Sequence, residues 1–194
     1  FFAWPSIQAG AELGLASGER ALSHSVHLLA IDFIKPWLQR NVYLGEKVTL
    51  KQFSVSRNVY IPGETIRMRG NVWHWDALPN GLLKVIIYLS DVDHTRGCML
   101  MMRHNVTGAR FKMDGAKVWG MMATPVSVPR EWLLEMMDRG YRPKCIAAPA
   151  GTAIAFDTNI VHRASRPARG EVRDSINFEF ITEKMAKPRY RSRD

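Results

Sequence analysis

The sequence predicts a single, mainly-β domain with helices on its N-terminal side and a helical insertion between strands. Three observations carry this reading. The chain has 194 residues, enough for one sizeable core and cramped for two. Near Lys47 the apolar pattern changes from helical spacing to strand-like alternation, which continues to Thr182 and gives roughly eight strands. Residues 103–143 interrupt the alternation with a stretch that starts and stops as a helix does. No internal repeat of about 20–50 residues appears, which excludes a solenoid. No apolar run approaches the ~18 residues of a membrane span.

Taken in order, residues 8–42 read as mainly helical. Ala, Leu, His and Ile recur at helical spacing through 21–34, Ser17-Gly18-Glu19 offers a start, and Pro36 predicts a bend or restart. His24 and His27 share one helical face; with no third ligand nearby they read as partly buried packing residues. Val48, Leu50, Phe53 and Val55 then mark a strand that slips register once near Gln52. Ile61-Pro62-Gly63-Glu64 is a turn. Residues 65–73 alternate as a second strand, which delivers His74 and Asp76 at its end, and 76–81 is loop. Residues 82–89 are nearly all apolar, as in a strand buried on both faces. Residues 91–97 form a polar turn and 98–102 a short strand. Within the insertion, Pro129 to Gly140 is a helix with Pro in its first turn and Gly at its end. The stretch before it, carrying Trp119, suits a pocket wall. Residues 144–147, 152–156, 160–163 and 174–182 complete the strands, and 184–194 form a tail.

The formal charge is +9, and Lys184, Lys187, Arg189, Arg191 and Arg193 crowd the end. Neither interleaved aromatics nor a Gly-rich phosphate loop accompanies that charge. It reads as a solvated tail, and a nucleic-acid partner is not expected. The two cysteines, Cys98 and Cys145, read as small buried residues in a reducing compartment, which places the protein in the cytoplasm. Phe1-Phe2-Ala3-Trp4-Pro5 has no basic n-region and reads as the start of a processed chain, not as a signal peptide.

The densest chemistry lies in two segments, His74-Trp75-Asp76 and the run from Gly151 through His162 to Arg173 and Ser175. At a strand end, residues i and i+2 point to one side, so His74 and Asp76 can grip one ion. His162 closes a short strand after a tight turn, and Arg173 follows eleven residues later at the mouth of the next strand. Two neutral imidazoles and one carboxylate on one face make the facial set expected for non-haem Fe(II), with three positions left open. Zinc is disfavoured, because its catalytic sites usually keep one position open.

These residues resemble the Fe(II)/2-oxoglutarate-dependent oxygenases, and within them the phytanoyl-CoA dioxygenase-like group. The resembling pieces are Ile61-Pro62-Gly63 upstream of Trp73-His74-Trp75-Asp76, then Leu83 to Val92 with Gly97, then Gly151 to Phe156, His162 and Arg173-Asp174-Ser175; they cover roughly residues 60–180. The resemblance implies one cupin-like oxygenase domain over 1–194 with a double-stranded β-helix, or jelly roll, at 47–182. It implies that His74, Asp76 and His162 bind iron and form the catalytic centre. Arg173 would pair with the distal carboxylate of 2-oxoglutarate through its planar fork, and Ser175 would add a hydrogen bond. The implied reaction consumes O2 and 2-oxoglutarate, gives succinate and carbon dioxide, and hydroxylates or otherwise oxidises a small organic substrate, with ascorbate as activator. Related halogenases lack the carboxylate, so Asp76 argues for hydroxylation. Where the family commonly has Pro-Gly-Ser-His, this chain reads Arg103-His104-Asn105-Val106, so no substrate carries over. His104 and Trp119 are the candidate substrate contacts. The alternative reading is a cupin-like metal-binding or sensor domain without oxygenase turnover.

Overall fold

The computed structural model describes residues 2–3, 24–62, 71–76, 82–113 and 126–183. The basic tail, Trp119 and the helical reading before residue 24 lie outside the described residues, as does most of the strand expected at 65–73. Residues 71–73 are not strand.

Two five-stranded antiparallel sheets form the jelly roll. The larger has the order β1 (Phe2–Ala3), β2 (Val48–Val59), β10 (Val172–Thr182), β4 (Leu83–Tyr88), β8 (Ala153–Asp157). The smaller has the order β6 (Val126–Ser127), β3 (His74–Trp75), β9 (His162–Ala164), β5 (Met99–His104), β7 (Tyr141–Ile146). The slip expected near Gln52 is a bulge. Glu179 faces Gln52 but Phe180 faces Leu50, leaving Lys51 as the extra residue.

Residues 24–41 are one helical run, α1, with a π-helical stretch at Leu29–Ile34 before the α-helical Lys35–Asn41. Pro36 falls in the first turn of that last piece. The wider π turns absorb its missing donor, so the helix is re-phased and not broken. Val26, Ala30 and Leu38 bury against Phe53, Val85, Ile176, Phe178 and Phe180 on the outer face of the larger sheet. His24 and His27 are exposed instead of packed, because helical spacing turns them off the line of Val26 and Ala30. Helix α2 (Arg130–Asp138) covers the outer face of the smaller sheet, with Met136 against Trp75, Met102, Val128 and Val161.

Strand alternation decides what faces the space between the sheets. On β10, Ile176, Phe178 and Phe180 point to α1, so Arg173, Ser175, Asn177 and Glu179 point the other way. Register sets Asn58, Ser56 and Ser54 of β2 beside Arg173, Ser175 and Asn177, and Lys84 of β4 beside Glu179. Apolar contact between the sheets is made by Met99, Met101, Phe156 and Ile160 with Ile86, Ile146 and Ile154, and by Tyr88 and Cys98 with Leu100 and Cys145.

Cys98 and Cys145 correct the sequence reading: they are joined in a disulfide, with Cα atoms 5.8 Å apart. The cause is the pairing of β5 with β7, which sets Leu100 against Cys145 and Met99 against Ile146.

Phe178 is fully buried, with its ring 6.3 Å from that of Phe53. Phe178→Ala should cost about 3–5 kcal/mol of stability, seen as a lower urea midpoint with unchanged slope. Val106→Ala, at a residue 89% exposed, should stay within about 0.5 kcal/mol of the parent.

Candidate metal centre

Pairing of β3 with β9 sets His74 directly opposite His162, and their ring centroids lie 4.3 Å apart. Each imidazole is fixed by its own strand. Nδ1–H of His74 donates to the Val72 carbonyl at 2.8 Å, and Nδ1–H of His162 donates to the Ile160 carbonyl at 2.7 Å. A carbonyl can only accept, so both rings carry the proton on Nδ1 and offer the Nε2 lone pair as a ligand. Asp76 is anchored by its backbone N–H on the Thr158 carbonyl at 3.0 Å. Its Oδ1 lies 3.8 Å from Nε2 of His74, and its Oδ2 accepts from Lys84 Nζ at 2.7 Å. The ligand atoms of the three residues lie within 4.8 Å of one another, and all three residues are buried.

Burial drives the protonation states. It lowers the pKa of His74, and it pushes His162 down to about 4, with the neighbouring His74 adding to the shift. Burial alone would raise the pKa of Asp76; the ammonium of Lys84, with His162 and His74, outweighs it and lowers the pKa. Near neutral pH the centre therefore offers two neutral nitrogens and one carboxylate, the states a metal requires. Without a thiolate, and with three donors on one side, the set fits Fe(II). Lys84 also contacts Glu179 at 3.6 Å, and Lys51 contacts Glu179 at 3.5 Å. With Oδ2 held by Lys84, Asp76 presents Oδ1 alone.

His74 and His162 line a cavity of about 270 Å³ together with Arg173, Asn58, Ser56 and Lys84. Arg173 is only 8% exposed. Its Nη1 donates to the Gly97 carbonyl at 2.5 Å. The Asn58 amide oxygen accepts from its Nε at 3.2 Å and from its Nη2, in the amide orientation that satisfies both groups. Among the described residues no carboxylate forms an ion pair with Arg173. Its charge is therefore buried among neutral acceptors, and burial lowers its pKa. Gly97 has φ +76°, and a Cβ there would meet Pro167 at 2.9 Å. Only glycine allows this turn to bring its carbonyl to Arg173. The Ser175 hydroxyl lies on the same face of β10 and hydrogen-bonds with that of Ser56 at 3.0 Å.

Lys84, Asn58, Ser56, Asn177 and Glu179 were not singled out from the sequence. One signal for Lys84 is a lone charge in the apolar strand Leu83–Tyr88. His104 does not line this cavity. Pairing with β7 extends β5 to His104, three residues past Met101, the partner of His162, and the imidazole lines a second cleft instead. His94, Cys98 and Cys145 also cluster, but both sulfurs are held in the disulfide and are not thiolate ligands.

No protein-family model matches the sequence, and a search of curated proteins finds no match to it. Solved structures do resemble it. An iron-bound EctD from S. alaskensis aligns over 86% of this chain with TM-score 0.58 and 16% identity. The epimerase SnoN, in complex with Fe3+, alpha ketoglutarate and nogalamycin RO, aligns over 91% with TM-score 0.56 and 17% identity. SnoK, a non-heme alpha ketoglutarate dependent carbocyclase from nogalamycin biosynthesis, aligns over 81% with TM-score 0.53 and 18% identity. The chain spans only part of such proteins: 32% of EvdMO1, 55% of EctD, 59% of SnoK and 68% of SnoN. At these identities the likeness shows a shared fold.

The buried imidazoles predict a pH dependence for the metal-free protein. As pH falls below 6.5, His162 in the unfolded chain takes up a proton that the native ring, with a pKa of about 4, does not. The unfolded state then binds more protons, so stability should fall as pH drops from about 6.5 toward 4. Urea unfolding of chelator-treated protein across that window should show the decline, and His162→Gln should make it shallower, with His74 supplying what remains.

Proposed function

We propose that this chain is an Fe(II)- and 2-oxoglutarate-dependent oxygenase acting on a small organic substrate. One observation carries the reading: a buried guanidinium with no carboxylate partner among the described residues shares one cavity with His74 and His162, beside Asp76. A buried cation in that state favours an anionic guest, and a dicarboxylate that also reaches the metal face satisfies both ends of the cavity.

In this reading Nε2 of His74, Nε2 of His162 and Oδ1 of Asp76 hold the metal on one face. Lys84 keeps the second oxygen of Asp76 occupied. Arg173 and Ser175 fix the far carboxylate of 2-oxoglutarate, with Asn58 and the Gly97 carbonyl orienting the guanidinium. Met99, Ile86 and Phe156 supply apolar wall that limits water. Bound iron and 2-oxoglutarate supply the oxidising chemistry, with O2 consumed and succinate and carbon dioxide formed. Asp76 supports hydroxylation as the outcome, with ascorbate as activator. The phytanoyl-CoA dioxygenase-like grouping is supported by the motif pieces, chiefly Arg173 eleven residues after His162. The iron-bound EctD, the SnoN complex with Fe3+ and alpha ketoglutarate, and the alpha ketoglutarate dependent SnoK support the cofactor assignment. Among the described residues no helix is long and apolar enough to cross a membrane. A cytoplasmic location loses its cysteine argument, since the two cysteines are bonded to each other.

Purified protein supplied with Fe(II), ascorbate and 2-oxoglutarate should form succinate when candidate substrates are screened, and His162→Ala should abolish it. Equal succinate from both proteins would overturn the reading. Binding of iron and 2-oxoglutarate without succinate from any substrate would favour the sensor alternative.

Arg173→Leu should keep the metal and lose cosubstrate. Truncating one partner of a buried charge-assisted contact costs about 2–5 kcal/mol, roughly 30-fold or more in affinity. Lysine should restore only part, since it lacks the planar fork. Arg166→Leu, outside the cavity lining, should leave affinity unchanged. Anaerobic titration of 2-oxoglutarate into the Fe(II) protein, followed by the metal-to-ligand charge-transfer band, measures all three.

A further inference from the structure

A second cleft lies at the far end of β5 and β7, where strand register lines up cations. Arg103 pairs with Arg142 on one side and bridges to Arg110 on the other. Lys144 stands two residues along β7 from Arg142, on the same face of the strand. Like charges opposite one another across strands are destabilising. Yet among the described residues none of these four cations forms an ion pair. Three of them, Arg103, Arg142 and Lys144, line the cleft of about 460 Å³, and among the described residues no Asp or Glu lines it.

The two guanidiniums of the lining are held in place by main-chain carbonyls. Nε of Arg103 donates to the Gly108 carbonyl at 2.8 Å. Gly108 has φ +69°, and a Cβ there would lie 2.8 Å from Nη2 of Arg103, so glycine is what lets the guanidinium fold back over the turn. Nη1 of Arg142 donates to the Tyr141 carbonyl at 2.7 Å and also to that of Met137. A carbonyl fixes direction and leaves the unit charge uncompensated. His104 closes the wall. Its Nδ1 accepts from the backbone N–H groups of Val106 at 3.3 Å and Thr107 at 3.2 Å, which anchors the 105–108 turn.

From this arrangement we infer that the cleft binds the diphosphate group of a small molecule. Two pre-oriented guanidinium forks match phosphoryl oxygens, and Lys144 adds a point charge. A concave site with several cations and no acid suits a polyanion better than a lone carboxylate. The site stands independently of the proposed metal chemistry. It lies on the same strand: Arg103 is two residues past Met101, the partner of His162, or about 7 Å further along β5.

Calorimetric titration of inorganic pyrophosphate into the full chain, treated with chelator, tests this at ~0.15 M salt. Saturable binding is expected, weakened about tenfold or more by Arg142→Gln and by Lys144→Gln. Lys144 makes no side-chain hydrogen bond or ion pair among the described residues, so its substitution spares the fold, and thermal unfolding checks both variants. Arg40→Gln, an exposed residue on α1, removes the same charge elsewhere and should change nothing. ADP serves as a second probe. Competition between ADP and pyrophosphate assigns the cleft to an esterified diphosphate; binding of pyrophosphate alone assigns it to the free anion. The inference is overturned if pyrophosphate binds no tighter than about 1 mM. It is equally overturned if Arg40→Gln weakens binding as much as Arg142→Gln does, or if a single-stranded oligonucleotide displaces pyrophosphate while ADP does not.

Discussion

A polar lining keeps the two sheets from collapsing onto each other. The inward face of the larger sheet carries the polar residues Ser54, Ser56, Asn58, Lys84, Arg173, Ser175, Asn177 and Glu179, which line or border the cavity. Hydrophobic burial is therefore divided, with two clusters between the sheets and two outside them. The larger apolar cluster lies beneath α1, and another lies beneath α2. In an ordinary sandwich the inner faces would supply the main core. Here the helices add an outer layer to each sheet, and only the polar part of the interior is left for a guest.

That arrangement needs charge balance inside. Lys84 supplies it, with one ammonium between Asp76 and Glu179. A buried ion group of this kind costs desolvation and is weak evidence for stability. Its value is orientation, since it commits one carboxylate oxygen and leaves the other free. Arg173 is the opposite case, oriented by neutral oxygens and, among the described residues, without a counter-ion. One cavity thus holds a compensated charge next to the histidines and an uncompensated one further along β10.

What the sequence revealed follows the physics of periodicity. The long strands β2, β4 and β10 were readable because alternation persists over many residues, and even the bulge at Lys51 left a trace. β3 is two residues long and has no period to detect. The convergence of His74 and Asp76 on one side was legible from their spacing, while their approach to His162 depends on a strand pairing that no local pattern encodes. Ser54, Ser56 and Asn58 were missed for a sharper reason. Polar residues alternating with apolar ones look the same whether they face water or a cavity. His104 was misplaced because a substrate wall was inferred from a motif position, whereas β5 simply continues in register with β7. The disulfide was hidden in the same way, since two cysteines 47 residues apart meet only through that register.

The Cys98–Cys145 bond encloses nearly everything between β5 and β7, including α2 and the turn at 105–108. In the chain-entropy model, closing a loop of this length removes about 4 kcal/mol of freedom from the unfolded chain. The enclosed stretch also supports the metal centre, since Ser127 pairs with His74 and α2 packs on Trp75 and Val161. Doubling a flexible loop costs only about 0.6 kcal/mol more, and the latch across β5 and β7 stays in place whatever lies between. The turn at 105–108 can therefore be lengthened, shortened or exchanged without moving either strand. A graft confined to that turn could change what reaches the second cleft while Ser127 keeps its pairing with His74.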